Sequence, residues 1–439
     1  MPRDLTSAVL ERACEAAGCP LCRLVLQHER QWLWLLLWER VNDPGSRRQL
    51  AAAWGFCHRH AWGLARLERL EWGQNTGTAI LYEDLVQRLL AHCRDERRAL
   101  VLPGQGCPAC AARARLEALY REALVRYCAE AWFAARYQQS DGLCWGHLAG
   151  AWRATSPAVG TWLLQTARAQ LERAQPRAVA ALRRDGPTDG GGDARDDASA
   201  SVLRGALQFL VGLEPWLVEA HVEPRAGPAS NGSSPAVAGA GAGCAACAAA
   251  GVAARRSLSG LLTGAAPWLC AAHAWQLYAL AVAAGQLAPL QAWSAASLAA
   301  ARVELDTCLE QARATGRTWL GRWWRRRRPP APHRSCAICT VERRAGQERA
   351  MTLGRAATTA SSAAGALCLP HLTLAIAVAA PPVAVALRQR LVARLRELAW
   401  ALREYLRKSD WQHRDEPRGP EQSAWRQAVA LFVGDERWL

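Results

Sequence analysis

A chain of 439 residues, 51% hydrophobic and 21% charged, can fill two or three compact domains and is too apolar to be disordered throughout. Its net charge is +16, yet Lys408 is the only lysine, and a high-GC coding bias raises arginine and alanine together, so arginine richness alone is no nucleic-acid signature. Sixteen cysteines, with no apolar leader in MPRDLTSAVLERACEAAGCP, argue against a disulfide-stapled secreted protein and predict a cytoplasmic one whose thiols bind metal.

In chain order, the first unit spans 19–60 and joins Cys19-Pro-Leu-Cys22 to Cys57-His-Arg-His60. Inside it WLWLLLW, at 32–38, is too short to span a bilayer. Its Trp32, Trp34 and Trp38 read as core packing rather than a platform for stacked bases. A helix is predicted over 78–98, where apolar residues recur every three or four positions. The second unit, 107–147, runs from Cys107-Pro-Ala-Cys110 through a predicted helix at 110–136 to Cys144-Trp-Gly-His147. A loose stretch at 185–201, DGPTDGGGDARDDASAS, reads as a loop before a helical tail ending at Gly212. The segment EPRAGPASNGSSPAVAGAGAG, 223–243, has linker composition.

The third unit, 244–273, holds Cys244-Ala-Ala-Cys247 and Cys270-Ala-Ala-His273, followed by a predicted helix over 288–314. RWWRRRRPPAPHRS, 322–335, leads to the fourth unit, 336–371, with Cys336-Ala-Ile-Cys339 and Cys368-Leu-Pro-His371. The apolar run 372–387 is broken by Pro381 and Pro382, so no transmembrane segment is expected. A helix over 385–407 and a tail ending at Gly434 complete the chain.

The order CxxC then CxxH thus holds four times, with 34, 33, 22 and 28 residues between the pairs. A longer period lies above it: Cys19 to Cys107 is 88 positions and Cys244 to Cys336 is 92. His60 and His273 are each followed by Ala-Trp, and the tails LRGALQFLVG and WRQAVALFVG are alike. The expectation is a tandem duplication, with a first half 1–222, the linker 223–243 and a second half 244–439. No succession of alternating β-branched runs occurs. The fold class expected is all-α, two tandem helical-bundle halves, each with two Cys-Cys-Cys-His sites joining helix ends.

Structural zinc takes four soft or borderline ligands in a tetrahedron. Residues three apart share a helix face, so a CxxC or CxxH pair presents two ligands together. Pro20 and Pro108 suit the first helical position and would put Cys19 and Cys107 at helix starts, where the dipole favours thiolate; Pro370 sits similarly just after Cys368. The expected cofactor is zinc, up to four ions, with an iron–sulfur cluster as the alternative. Each CxxC closes with its own CxxH or with a neighbour's across the bundle, and nearest in sequence is the default. Cys14, Cys93, Cys128 and Cys308 read as small core residues, although Cys14 stands close enough to Cys19 to substitute. His60 matches the other units better than His58. The segment from Asp410 through His413 to Glu416 reads as a capping turn rather than an acid–base site.

The pattern resembles a bacterial family of uncharacterised helical proteins that carry a CPxC near the N-terminus, a CxxH about thirty residues on, a second such pair and a C-terminal helix. The resemblance covers nearly the whole chain as two copies, including Trp62 and Trp275 after their histidines. It departs at Cys244-Ala-Ala-Cys247 and Cys336-Ala-Ile-Cys339, which lack the proline, and in the shortened third interval. The resemblance implies no activity.

Closed four-ligand sites leave no open position for substrate or activated water, so no catalytic residue is assigned. The function expected is a non-catalytic zinc-binding scaffold that engages an unknown macromolecular partner. One alternative is a nucleic-acid-binding protein using Trp323, Trp324 and the arginines at 325–328 with the overall positive charge. Another is a thiol redox switch using the CxxC pairs.

Overall fold

The computed structural model describes residues 4–94, 100, 106–184, 203–213, 243–261, 268–315, 336–357, 367–413 and 415–436. The fold is all-α: the described residues form helices and turns, with no strand among them. The stretches 185–201 and 322–335 and all but the last residue of the expected linker 223–243 lie outside the described residues. No helix among the described residues is long and apolar enough to cross a membrane.

The first stretch holds α1 (Leu5–Glu15), α2 (Pro20–Glu39), α3 (Pro44–Ala52), α4 (His58–Trp72) and α5 (Thr76–Arg94). It continues with α6 (Pro108–Tyr127), α7 (Ala131–Gln139), α8 (Trp145–Arg153), α9 (Pro157–Arg184) and the tail helix α10 (203–211). After the linker come α11 (Ala245–Leu261), α12 (Ala271–Ala283), α13 (Leu287–Thr315), α14 (Ala337–Ala356), α15 (Leu369–Val378), α16 (Pro381–Lys408) and α17 (Ala424–Val433).

Local chemistry sets the ends. Asp4 caps α1 by accepting from the Ser7 N–H at 2.8 Å, and Ser7 reciprocates. Asp43 caps α3 with Pro44 behind it. Gly73, at φ +72°, ends α4 in the left-handed conformation that glycine tolerates. At the start of α5 the buried Glu68 accepts from the N–H groups of Gly77 and Thr78, satisfying donors the helix itself cannot pair.

Two compact units form. One gathers Met1–His28, Ala114–Pro215 and Arg255–Thr340; the other gathers Glu29–Arg113, Trp216–Ala254 and Val341–Leu439. Each unit therefore draws on chain from both sides of the linker. In the first, α9 packs on α13: Leu163, Leu164, Ala167 and Leu171 bury one stripe, and Leu290, Leu298, Ala301, Leu305 and Leu309 bury the other. In the second, α5 packs on α16. Ala79, Tyr82, Leu85, Val86 and Leu89 line one face, and Leu387, Leu391, Leu395, Leu398 and Leu402 line the other. Each such leucine stabilises the fold by about 1.5–3 kcal/mol. These stripes are long and apolar, and the partner that covers each lies more than 100 residues away along the chain.

The tails follow the same exchange. Trp62, after His60, is fully buried and donates its indole N–H to the Gly434 carbonyl at 3.1 Å. Trp275, after His273, donates to the Gly212 carbonyl at 3.2 Å. Both glycines stand at positive φ, +92° for Gly212 and +90° for Gly434. The His-Ala-Trp at 60–62 thus receives the tail ending at Gly434, and the one at 273–275 the tail ending at Gly212.

Candidate metal centres

All sixteen cysteine and histidine side chains singled out in the sequence fall into four groups that could hold a metal ion, each with its four donor atoms within 4.8 Å of one another. The groups are Cys19, Cys22, Cys144 and His147; Cys57, His60, Cys107 and Cys110; Cys244, Cys247, Cys368 and His371; and Cys270, His273, Cys336 and Cys339. The default pairing of each CxxC with its nearest CxxH is corrected. Within 1–222 the first CxxC meets the second CxxH, and the first CxxH meets the second CxxC. The same nesting recurs within 244–439.

Helix length explains the crossing. A helix of 20 residues, the length of α2, carries the chain about 30 Å from its start. The 9 residues of α3 span only about 14 Å, less than half of that. Helix α6, also 20 residues, separates Cys110 from Cys144 in the same way.

Every pair sits at the start of a helix. Cys57, Cys144, Cys270 and Cys368 are the N-cap residues of α4, α8, α12 and α15, in extended backbone with φ between −72° and −63°. Cys19, Cys107, Cys244 and Cys336 immediately precede α2, α6, α11 and α14. The second member of each pair lies three residues on, one turn along the same face. Each group is therefore a meeting of two helix N-termini, whose free N–H groups and dipoles favour negative sulfur. The Cys22 and Cys247 N–H groups point at the Cys19 and Cys244 sulfurs, at 3.5 and 3.4 Å.

The distances fit one ion in each group. A tetrahedron with zinc–sulfur bonds near 2.3 Å has sulfur–sulfur edges of about 3.8 Å and sulfur–nitrogen edges of about 3.5 Å. Cys22 and Cys144 are 3.6 Å apart, Cys57 and Cys110 3.7 Å, Cys247 and Cys368 3.7 Å, and Cys270 and Cys339 3.6 Å. His147 Nδ1 stands 3.3 Å from each of its three sulfurs. His60 Nδ1 lies 3.2–3.4 Å from its own three, and His273 Nδ1 3.3–3.4 Å. His371 Nδ1 lies 3.1–3.5 Å from Cys244, Cys247 and Cys368. No disulfide forms among the described cysteines.

Crowding drives the thiol acidities apart. Hydrogen bonds from the Cys247 and Cys368 thiols hold Cys244 down at about 3, while the same contacts push Cys368 far up. Cys270 likewise brings Cys336 down to about 3 and is itself pushed far up. Cys19 is held low by the thiols of Cys144 and Cys22 although burial opposes it, and Cys107 is low beside Cys110 and Cys57. Three thiolates in one such space need a positive ion to neutralise them.

Around these donors lie groups the sequence reading missed. Glu29 is 3% exposed and lies 3.3 Å from His60 Nε2, with Arg59 at 2.6 Å and Arg113 at 2.9 Å. Burial pulls His60 down, but the Cys107 and Cys110 thiols and Glu29 push it up to about 10. Glu117 lies 3.5 Å from His147 Nε2. Each glutamate stands seven positions after the second cysteine of a CxxC, an offset readable in the sequence.

The remaining candidates take ordinary places. Cys14, Cys93 and Cys128 are buried, and burial pushes Cys14 up to about 12 and raises the other two thiols. Cys14 stays outside the four groups, and Cys308 is half-buried on α13. His58 turns away from its cysteine and donates to the Asp435 carbonyl at 2.8 Å. His413 pairs with Glu416 at 2.8 Å in an exposed turn. Trp32 and Trp34 pack against the core, whereas Trp38 is 62% exposed and stacks on Trp34 and Trp72, so the expected packing role holds only for part of that stripe. The Trp323–Arg328 run lies outside the described residues.

Compared with protein families, with curated proteins and with solved structures, the chain finds no match.

Proposed function

We propose that the protein is a non-catalytic scaffold holding four zinc ions and engaging another macromolecule. The observation that carries this reading is the tetrahedral spacing of three sulfurs and one Nδ1, repeated at four pairs of helix N-termini. Sulfur–sulfur separations of 3.6–3.7 Å suit one ion and are short for a cluster that places several irons between its cysteines, which favours zinc over an iron–sulfur centre. Four protein ligands complete the coordination, so the ions stabilise helix junctions rather than activate water. A cytoplasmic, reducing setting keeps these thiols available. The same reading takes 1–222 and 244–439 as two copies of one design, supported by the identical nesting of donors in each.

Elemental analysis of the purified full chain tests it. Four zinc ions per chain are expected. A chain equally folded and free of metal, or one carrying iron with acid-labile sulfide, overturns the reading.

A second reading has an observation of its own. Cys110 is exposed and its sulfur lies 3.7 Å from that of Cys57, which suits a thiol redox switch at that group. Peroxide that neither oxidises this pair nor releases metal removes it.

A further inference from the structure

Three of the groups differ in what stands behind the histidine. At His60 it is a carboxylate out of contact with water, since the Glu29 side chain is 1% exposed. Burying that charge is costly unless it is paired. Arg59 and Arg113 hold both carboxylate oxygens, which leaves Oε1 facing His60 Nε2 at 3.3 Å. At His147 the equivalent is Glu117, with 31% of its side chain exposed. At the same offset after Cys339 stands Gly346, and a Cβ there would lie 2.9 Å from His371 Nε2. That ring meets a helix backbone where the other two meet an acid.

We infer that Glu29 and Glu117 are positioning residues for the two metal centres of residues 1–222, and that they make these centres retain zinc longer than the centre of Cys244, Cys247, Cys368 and His371. A carboxylate charge 3.3–3.5 Å from Nε2, close without hydrogen-bond geometry, favours the proton on that nitrogen, presents Nδ1 to the ion and raises its donor strength. Losing such a partner lowers metal affinity by about 10–100-fold. The inference rests on the proposed zinc binding and deepens it.

The test uses the zinc-loaded full chain, challenged with excess chelator while a chromophoric indicator follows zinc release. Glu29→Gln and Glu117→Gln should each speed the departure of one zinc equivalent by about 10–100-fold, and the double variant should speed two. Glu68→Gln is the control. Glu68 is also a buried carboxylate, but it accepts from Gly77 and Thr78 and faces none of the four histidines. It should lower thermal stability and leave release unchanged. Glu117, being partly exposed, keeps the test sound if Glu29→Gln fails to fold. Unchanged release in Glu117→Gln, or equal acceleration in Glu68→Gln, overturns the inference while leaving zinc binding intact. A starting protein without zinc overturns the underlying reading instead.

Discussion

Trp62 and Gly434, 372 positions apart, are joined by an indole N–H to carbonyl hydrogen bond of 3.1 Å inside the core. Trp275 and Gly212 repeat it at 3.2 Å across 63 positions. Replacing either tryptophan by phenylalanine keeps an aromatic ring, though a smaller one, and leaves a buried carbonyl without its donor. Each variant, Trp62→Phe or Trp275→Phe, is expected to lose about 1–3 kcal/mol of stability. Denaturant midpoints measure this, and midpoints equal to the parent's would show that the tails dock without these bonds.

Because both compact units contain chain from 1–222 and 244–439, cutting the linker should not separate the halves. A protease site placed between residues 223 and 243 of the full chain, cleaved after purification, should leave two fragments that co-elute under native conditions. Fragments eluting apart at micromolar concentration would mean that α9 on α13 and α5 on α16 do not hold them together.

Gly212 has no room for a side chain. A Cβ there would lie 2.7 Å from the Cys22 sulfur and 3.5 Å from the Cys144 sulfur, and φ is +92°. Gly212→Ala is expected to cost about 1–2 kcal/mol in backbone strain and to loosen one of the four metal groups. Three retained zinc ions and a lowered melting temperature would agree; four ions and an unchanged melting temperature would not.

Acid should weaken one contact in a defined window. Burial pushes Glu421 up, but the Gly419 N–H at 2.7 Å, with Lys408 at 3.1 Å, outweighs it and brings the carboxyl from its ordinary 4.5 to about 2. A lowered folded-state value means that the group adds stability above pH 4.5 and loses it as pH falls toward 2. Glu421→Gln should therefore destabilise at pH 7 and lose that penalty near pH 2. A penalty that stays constant with pH would show that the ionised form is not what matters.

The donors were legible in the sequence because a tetrahedral centre demands particular atoms, and CxxC and CxxH carry them at one-turn spacing. The helix starts at Cys19 and Cys107 were legible too, since Pro20 and Pro108 mark them. Which pairs meet was not, because nearness along the chain says little once 20-residue helices intervene. The His-Ala-Trp repeats and the glycine-ended tails were visible as resemblances. Nothing local in either shows that Trp62 reaches Gly434 rather than Gly212, since that choice belongs to packing across the linker. Glu29 looked like any charged helix residue; its burial between two arginines and a histidine is a tertiary fact.

The pairing of α5 with α16 has a consequence during synthesis. Helix α5 ends at Arg94 and α16 begins at Pro381, so a ribosome adding about 5–20 residues per second leaves the apolar face of α5 uncovered for roughly 15–60 s. The donors of Cys19–His147 and Cys57–Cys110 have all emerged soon after residue 147, well before that interval ends. Under the proposed zinc binding, ions taken up then would brace the nascent residues 1–222, and a shortage of zinc would show first as aggregation of unfinished chains rather than unfolding of finished ones.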